Sequence, residues 1–166
     1  MTISHMMLPE FDQEMTNTRK ILTRVPDDKT SWKPHEKSMT LGRLASHIAE
    51  MPSWAVAVLE KGDLKIEPGQ QAFNAASAAE RLGYFDTNVS AARELLAAAT
   101  DEALSKPWSL IYADKPLFTL PKAAVPRNMC FNHMVHHRAQ LGVYLRLIDI
   151  AIPGMYGPSA DEKAQP

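Results

Sequence analysis

The stretch Cys130-Phe131-Asn132-His133-Met134-Val135-His136-His137-Arg138-Ala139-Gln140-Leu141-Gly142-Val143-Tyr144-Leu145-Arg146-Leu147-Ile148 decides the fold. In it Cys130, Met134, His137, Leu141, Tyr144 and Ile148 recur at spacings of 4, 3, 4, 3 and 4. That rhythm places them on one face of an α-helix, with polar residues on the other faces. Three earlier stretches repeat it. Phe11, Met15, Thr18 and Leu22 mark the first, and Leu44, His47, Met51, Trp54 and Val58 the second, which opens at Thr40 as N-cap. Ala78, Leu82, Phe85, Val89, Ala92 and Leu96 mark the third. Prolines fall mostly between these stretches, at Pro26, Pro34, Pro68, Pro107, Pro116, Pro121, Pro126, Pro153 and Pro158. Proline lacks a donor and clashes inside a helix, so it marks connections. Four amphipathic stretches of similar length predict an all-α fold, an antiparallel four-helix bundle.

Three details qualify the bundle. Pro52 falls inside the second pattern and predicts a kink or local break near Met51. Between Pro107 and Leu120, two β-prone runs flank Ala113-Asp114-Lys115-Pro116, which allows a short β-hairpin in the connection between helices three and four. The polar tail from Ser159 to Pro166 is expected to fray.

Composition narrows the class. A chain of 166 residues predicts a single domain, residues 1–166. At this size folding buries roughly 70% of the unfolded chain's surface, so the core needs no metal or disulfide staple. Eighteen Lys and Arg against 19 Asp and Glu leave a net charge of −1, which weighs against nucleic acid or acidic lipid as a partner. One cysteine, Cys130, can form neither an intrachain disulfide nor a multi-cysteine zinc site. No export signal or long apolar run is apparent, so a cytoplasmic protein is expected.

The six histidines carry the chemistry. His5 and His35 are expected in solvent. His133 and His137, four apart on a helix, share a face with Cβ atoms about 5–6 Å apart and can converge on one divalent cation. Hydrogen-bonded histidines at the edge of a core stripe would give the same spacing. His47 sits where the second helix's stripe calls for an apolar residue. Three inward imidazoles from two helices each need polar partners, and one metal ion would serve all of them. His136 lies about 100° from His137 and points elsewhere. Glu50 reads as a surface carboxylate in preference to a ligand or an acceptor behind one. Cys130 reads as a small apolar filler.

These residues bring a family into view. Trp32-Lys33-Pro34 followed by Ser38-Met39-Thr40-Leu41-Gly42-Arg43-Leu44-Ala45-Ser46-His47-Ile48-Ala49-Glu50 resembles the first block of the DinB-like superfamily. Asn132 to Gly142 resembles its second block, and Ile152 to Glu162 resembles the tail of many bacterial members. Ala139 stands where the usual pattern has glycine. The resemblance implies a four-helix bundle that holds a divalent metal on His47, His133 and His137 and pairs as a homodimer.

It also implies relatives that are metal-dependent thiol transferases or isomerases using low-molecular-weight thiols, beside members with no assigned reaction. The expected cofactor is Zn or Ni, on three protein ligands with an open position. Such a site suits a thiol transferase or a hydrolase acting on a small-molecule substrate. Glu50 or Tyr144 is a candidate proton carrier. Arg138 is assigned to a salt bridge across a dimer or the surface in preference to a substrate carboxylate. The alternative function is a metal-binding or stress-response helical dimer without turnover.

Overall fold

Hydroxyl side chains mark where this chain turns helical. Thr2, Thr40, Ser77 and Thr100 each accept a hydrogen bond from the backbone N–H three residues on, at His5, Arg43, Glu80 and Ala103. Each thereby satisfies a donor that the helix start leaves without a partner. The helices that follow, in a computed structural model that describes residues 1–162, are α1 (Ile3–Leu22), α2 (Leu41–Glu60), α3 (Ala78–Ala98) and the short α4 (Asp101–Ser105). The last helix, α5 (His133–Leu147), is entered from a wide π-helical segment, Pro126–Asn132.

The expected all-α, four-helix bundle needs correction. Among the described residues there are five α-helices and a three-stranded sheet, so the fold is mostly helical but not all-α. The anticipated hairpin is present as β2 (Pro107–Tyr112) and β3 (Lys115–Pro121). Its turn residues Ala113 and Asp114 have φ of 47° and 62°, the left-handed values that a tight hairpin turn requires. The unexpected strand is β1 (Asp63–Ile66), which lies parallel to β2 with Leu64 opposite Leu110. Four residues give too little alternation to register as a strand. Helix α4, at five residues, is likewise too short to show a helical period.

Helices α1, α2, α3 and α5 contribute Phe11, Leu44, Phe85 and Leu141 to one apolar core, each almost fully buried. A smaller cluster of Val58, Trp108 and Val125 fixes the sheet to the C-terminal end of α2. Helix α2 runs through Pro52 without interruption, although the missing N–H leaves the Ile48 carbonyl without its usual partner.

On α5 the buried face is Met134, Arg138, Leu141 and Leu145: Met134 and Leu141 lie on the stripe read from the sequence, while Arg138 and Leu145 are buried where the stripe had His137 and Tyr144. Arg138 occupies its centre as a buried ion pair with Glu14 of α1, instead of a surface or inter-subunit bridge. Arg138 Nη1 also donates to the Glu14 carbonyl at 3.0 Å and to Thr18 Oγ1 at 2.9 Å, and the Tyr156 hydroxyl donates to Glu14 at 2.9 Å.

The tail differs from expectation as well. Ser159 Oγ donates to the Ile152 carbonyl, Asp161 pairs with Arg146, and Glu162 accepts from the Gly154 N–H at 2.7 Å. A Cβ at Gly154 would stand 2.4 Å from the Gly157 carbonyl oxygen, so only glycine fits this turn. Ser159–Glu162 are therefore tied down. The rest of the segment expected to fray, residues 163–166, lies outside the described residues. No helix among the described residues is long and apolar enough to cross a membrane.

Candidate metal centre

His47 comes from the middle of α2, one turn after Arg43 and one turn before Glu50, so the three side chains share a face. His133 and His137 come from the first turns of α5, where the π-helical segment hands over to regular helix. Such wide turns shift the phase of the residues that follow and recur at functional sites. One ring nitrogen from each of His47, His133 and His137 lies within 4.8 Å of the other two. The ring centroids of the three pairs stand 4.7 to 5.2 Å apart.

The far side of the rings decides what the near side offers. His47 Nδ1 sits 2.7 Å from Glu50 Oε1, and His137 Nδ1 sits 2.7 Å from Gln140 Oε1. Both partners are acceptors, so each Nδ1 carries the ring proton and each Nε2 keeps a lone pair. His47 Nε2 and His133 Nε2 are 3.4 Å apart. Two nitrogens about 2.0–2.1 Å from a tetrahedral ion stand about 3.3–3.4 Å apart, so the observed separation fits a shared cation. The donor set is imidazole alone, and the acceptors behind the rings are of the kind that orient metal-bound histidines.

Electrostatics agree. Burial pushes His137 down to about 4; its hydrogen bond with Gln140 opposes this, and the facing His47 and His133 rings add to it. Burial also lowers His133, helped by His47 and His136. Both rings are therefore neutral near pH 7 and ready to donate lone pairs. For Glu50, burial favours the neutral acid, but hydrogen bonds from His47 and Arg43 outweigh it and hold the carboxyl below its ordinary range.

Other residues fall as follows. Glu50 is 8% exposed and so is not the surface carboxylate expected; it accepts from Arg43 Nη2 at 2.9 Å and from the Phe73 N–H at 3.2 Å. It faces the Nδ1 side of His47, where it holds the ring and is not a fourth ligand. His136 is exposed and outside the cluster, as are His5 and His35. Cys130 is buried, donates to the Met51 carbonyl at 3.5 Å and has its thiol pushed up to about 12 by burial, in keeping with a filler. Tyr144 packs edge-on against Trp32 and is not part of the cleft wall, so it has no place as a proton carrier here.

A cleft of about 770 Å³ opens beside His47 and His133. Trp54 stands 5.5 Å from the His47 ring and 5.4 Å from the His133 ring, measured between centroids. Phe73 arrives from the connection before α3, stacks on Tyr84 at 4.1 Å and is pinned through its backbone to Arg43 and Glu50. Arg43 lies four residues before His47, so its place beside the site was available from helical spacing. Phe73 comes from an irregular segment and carries no such signal.

Comparison with known proteins places the chain in a family. The DinB family model matches residues 1–166, and the chain belongs to the DinB family. It is 24% identical over 167 residues to the uncharacterized protein YrdA of Bacillus subtilis, covering 99% of this chain and 93% of that one. Among solved structures, a DinB-like protein from Bacillus cereus superposes with a TM-score of 0.68 at 24% identity, over 90% of this chain and 95% of the other. The DinB-like protein YjoA of Bacillus subtilis gives a TM-score of 0.67 at 20% identity, over 90% and 97% of the two chains. These structural likenesses carry the fold alone.

Proposed function

We propose that this DinB-family chain holds a divalent metal ion, Zn or Ni, on His47, His133 and His137 and uses it as a metal-dependent transferase or hydrolase. The observation that carries the reading is the convergence of imidazole lone pairs from two helices, with Nδ1 of His47 and of His137 already committed to acceptors. A divalent ion there would supply Lewis-acid chemistry, making a water or a thiol in its open position acidic enough to ionise near neutral pH.

The chain's own residues do the remainder. Glu50 fixes the tautomer and direction of His47. Arg43 holds Glu50 ionised. Trp54 packs against two of the ligand rings and limits water around them. In the thiol-transferase form, the thiol gives its proton to solvent, its sulfur bonds to an electrophilic carbon, and that carbon's bond to its leaving group breaks. No protein nucleophile is required.

In this reading the chain works as a homodimer. Val143 and Leu147, each 59% exposed on α5, offer apolar surface for the second copy, and sedimentation velocity tests that pairing.

The functional test screens thiols against electrophiles, and hydrolysable esters and amides, with untagged native protein and with His137→Ala. Metal-dependent turnover that His137→Ala abolishes is the expected result. A protein that retains metal but turns nothing over contradicts the enzyme and leaves a stress-linked metal binder.

A further inference from the structure

Charge in the cleft is confined to one end and already cancelled. Among the described residues that wall it, the only Arg, Lys, Asp or Glu side chains are Arg43 and Glu50, and these pair at 2.9 Å. Arg43 also donates from Nη1 to the Phe73 carbonyl at 3.1 Å, and Glu50 has its other oxygen on the Phe73 N–H. The two charges are paired with each other and tied to the Phe73 backbone.

The remaining wall is uncharged and mostly apolar, with Ser53 turned to the Glu50 carbonyl at 2.7 Å and Tyr84 stacked on Phe73. Trp54 of α2, Leu64 and Ile66 of β1, Leu110 of β2 and Met129 of the π-helical segment line it, with Gln70 and Gln71 at the exposed rim. The unexpected strand β1 therefore has a role: its inward residues Leu64 and Ile66 extend the apolar wall that Leu110 begins, in parallel register.

From this we infer that the organic substrate is an uncharged, largely apolar molecule, an aromatic ring system or an aliphatic chain, lying along this wall with its reacting end beside His47 and His133. The inference rests on the metal-centre reading for the position of the reacting end. A phosphate, sulfonate or carboxylate in the body of the substrate would enter a wall with no counter-charge, and ions removed from water without a partner are strongly disfavoured. An apolar ring displaces water from the wall and gains from contact with Trp54 and the aliphatic residues. The cleft is thus selective by what it lacks.

Three naphthalene probes that differ in charge test this: 1-naphthalenemethanol, 1-naphthoate and 1-naphthylmethylammonium. Their binding to the full chain is measured by calorimetry after chelator treatment and again after zinc loading. In the chelator-treated chain the neutral probe is expected to bind at least about tenfold more tightly than either ion. Equal or tighter binding of naphthoate, or no binding of the neutral probe, overturns the inference.

Location is tested with two variants. Leu110→Asp, checked for native helicity, is expected to weaken the neutral probe about tenfold. Gln71→Arg, at the exposed rim where folding is not at stake, is expected to strengthen naphthoate. Probe affinities unchanged in both variants place the binding elsewhere and overturn the assignment. Because the decisive comparison uses chelator-treated protein, failure to retain metal leaves it readable. Retained metal with a preference for naphthoate removes this inference alone.

Discussion

His47 Nδ1 stands 2.7 Å from Oε1 of Glu50, one helical turn away and almost fully buried. The same carboxylate accepts from Arg43 and from the Phe73 backbone, so one side chain joins a ligand ring to the wall of the cleft. Replacing it with Gln keeps the shape but lets the amide turn its NH₂ toward His47. Loss of an acceptor behind a metal-bound histidine typically lowers affinity about 10–100-fold. Glu50→Gln is expected to fall in that range in a chelator-competition titration, with the far-UV spectrum unchanged. Affinity equal to that of the native chain would show that Glu50 does not orient His47.

The neighbouring histidines provide an internal contrast. His137 belongs to the cluster and His136, one residue earlier, is exposed outside it. After dialysis against weak chelator, His137→Ala is expected to lose its metal and His136→Ala to retain it. Elemental analysis of untagged protein reads both; equal loss in the two variants would contradict the three-histidine site.

Arg138 tests the core instead of the site. Its pairing with Glu14 is buried, and removing one partner of a buried pair typically destabilises by about 3–5 kcal/mol because the other charge is left without compensation. Arg138→Ala is expected to lose that much in urea unfolding. Joint replacement by Arg138→Met and Glu14→Leu is expected to recover most of it, since no charge then remains buried. A large loss in the double variant equal to that of Arg138→Ala would show that packing, not charge, dominates.

The tail anchor has a pH dependence with a definite sign. Asp161 is lowered to about 2, first by its hydrogen bonds from Arg146 and then by the Ile152 N–H. A carboxyl depressed on folding contributes its stability above its unfolded pKa, and that contribution is lost as pH falls through the folded value. Protection of the Ile152 amide from hydrogen exchange, corrected for intrinsic rate, is expected to hold down to pH 4 and decline between about pH 4 and 2. Asp161→Asn should remove that step.

Cys130, buried and with its thiol raised to about 12, should resist alkylation by iodoacetamide at pH 8 in native protein and react when the chain is unfolded in guanidinium. Rapid native labelling would contradict its role as a filler.

Much of the fold was legible because long helices repeat their period several times. Thr40 was readable as an N-cap, and the α3 stripe from Ala78 to Leu96 lies inside the observed helix. β1 was not legible, since Asp63-Leu64-Lys65-Ile66 gains its meaning only from a partner forty-six positions away at Ser109–Tyr112. The phase of α5 was misread for a related reason. Periodicity ranks Tyr144 above Arg138 for burial, and only the distant Glu14 makes the arginine the better core residue. At the site, His47 and His137 stood out because imidazoles interrupt apolar stripes, and His133 because it lies one helical turn before His137. Glu50 did not, because a carboxylate is usually solvated and its partners Arg43 and Phe73 fix it only in three dimensions.

The central claim is that one ion sits among His47, His133 and His137. X-ray absorption at the metal edge, on untagged protein loaded with one equivalent of zinc, tests it most directly. Three imidazole nitrogens at about 2.0–2.1 Å, reduced in number by His137→Ala, are the predicted result. A zinc shell of oxygen alone, or one that His137→Ala leaves unchanged, would contradict it.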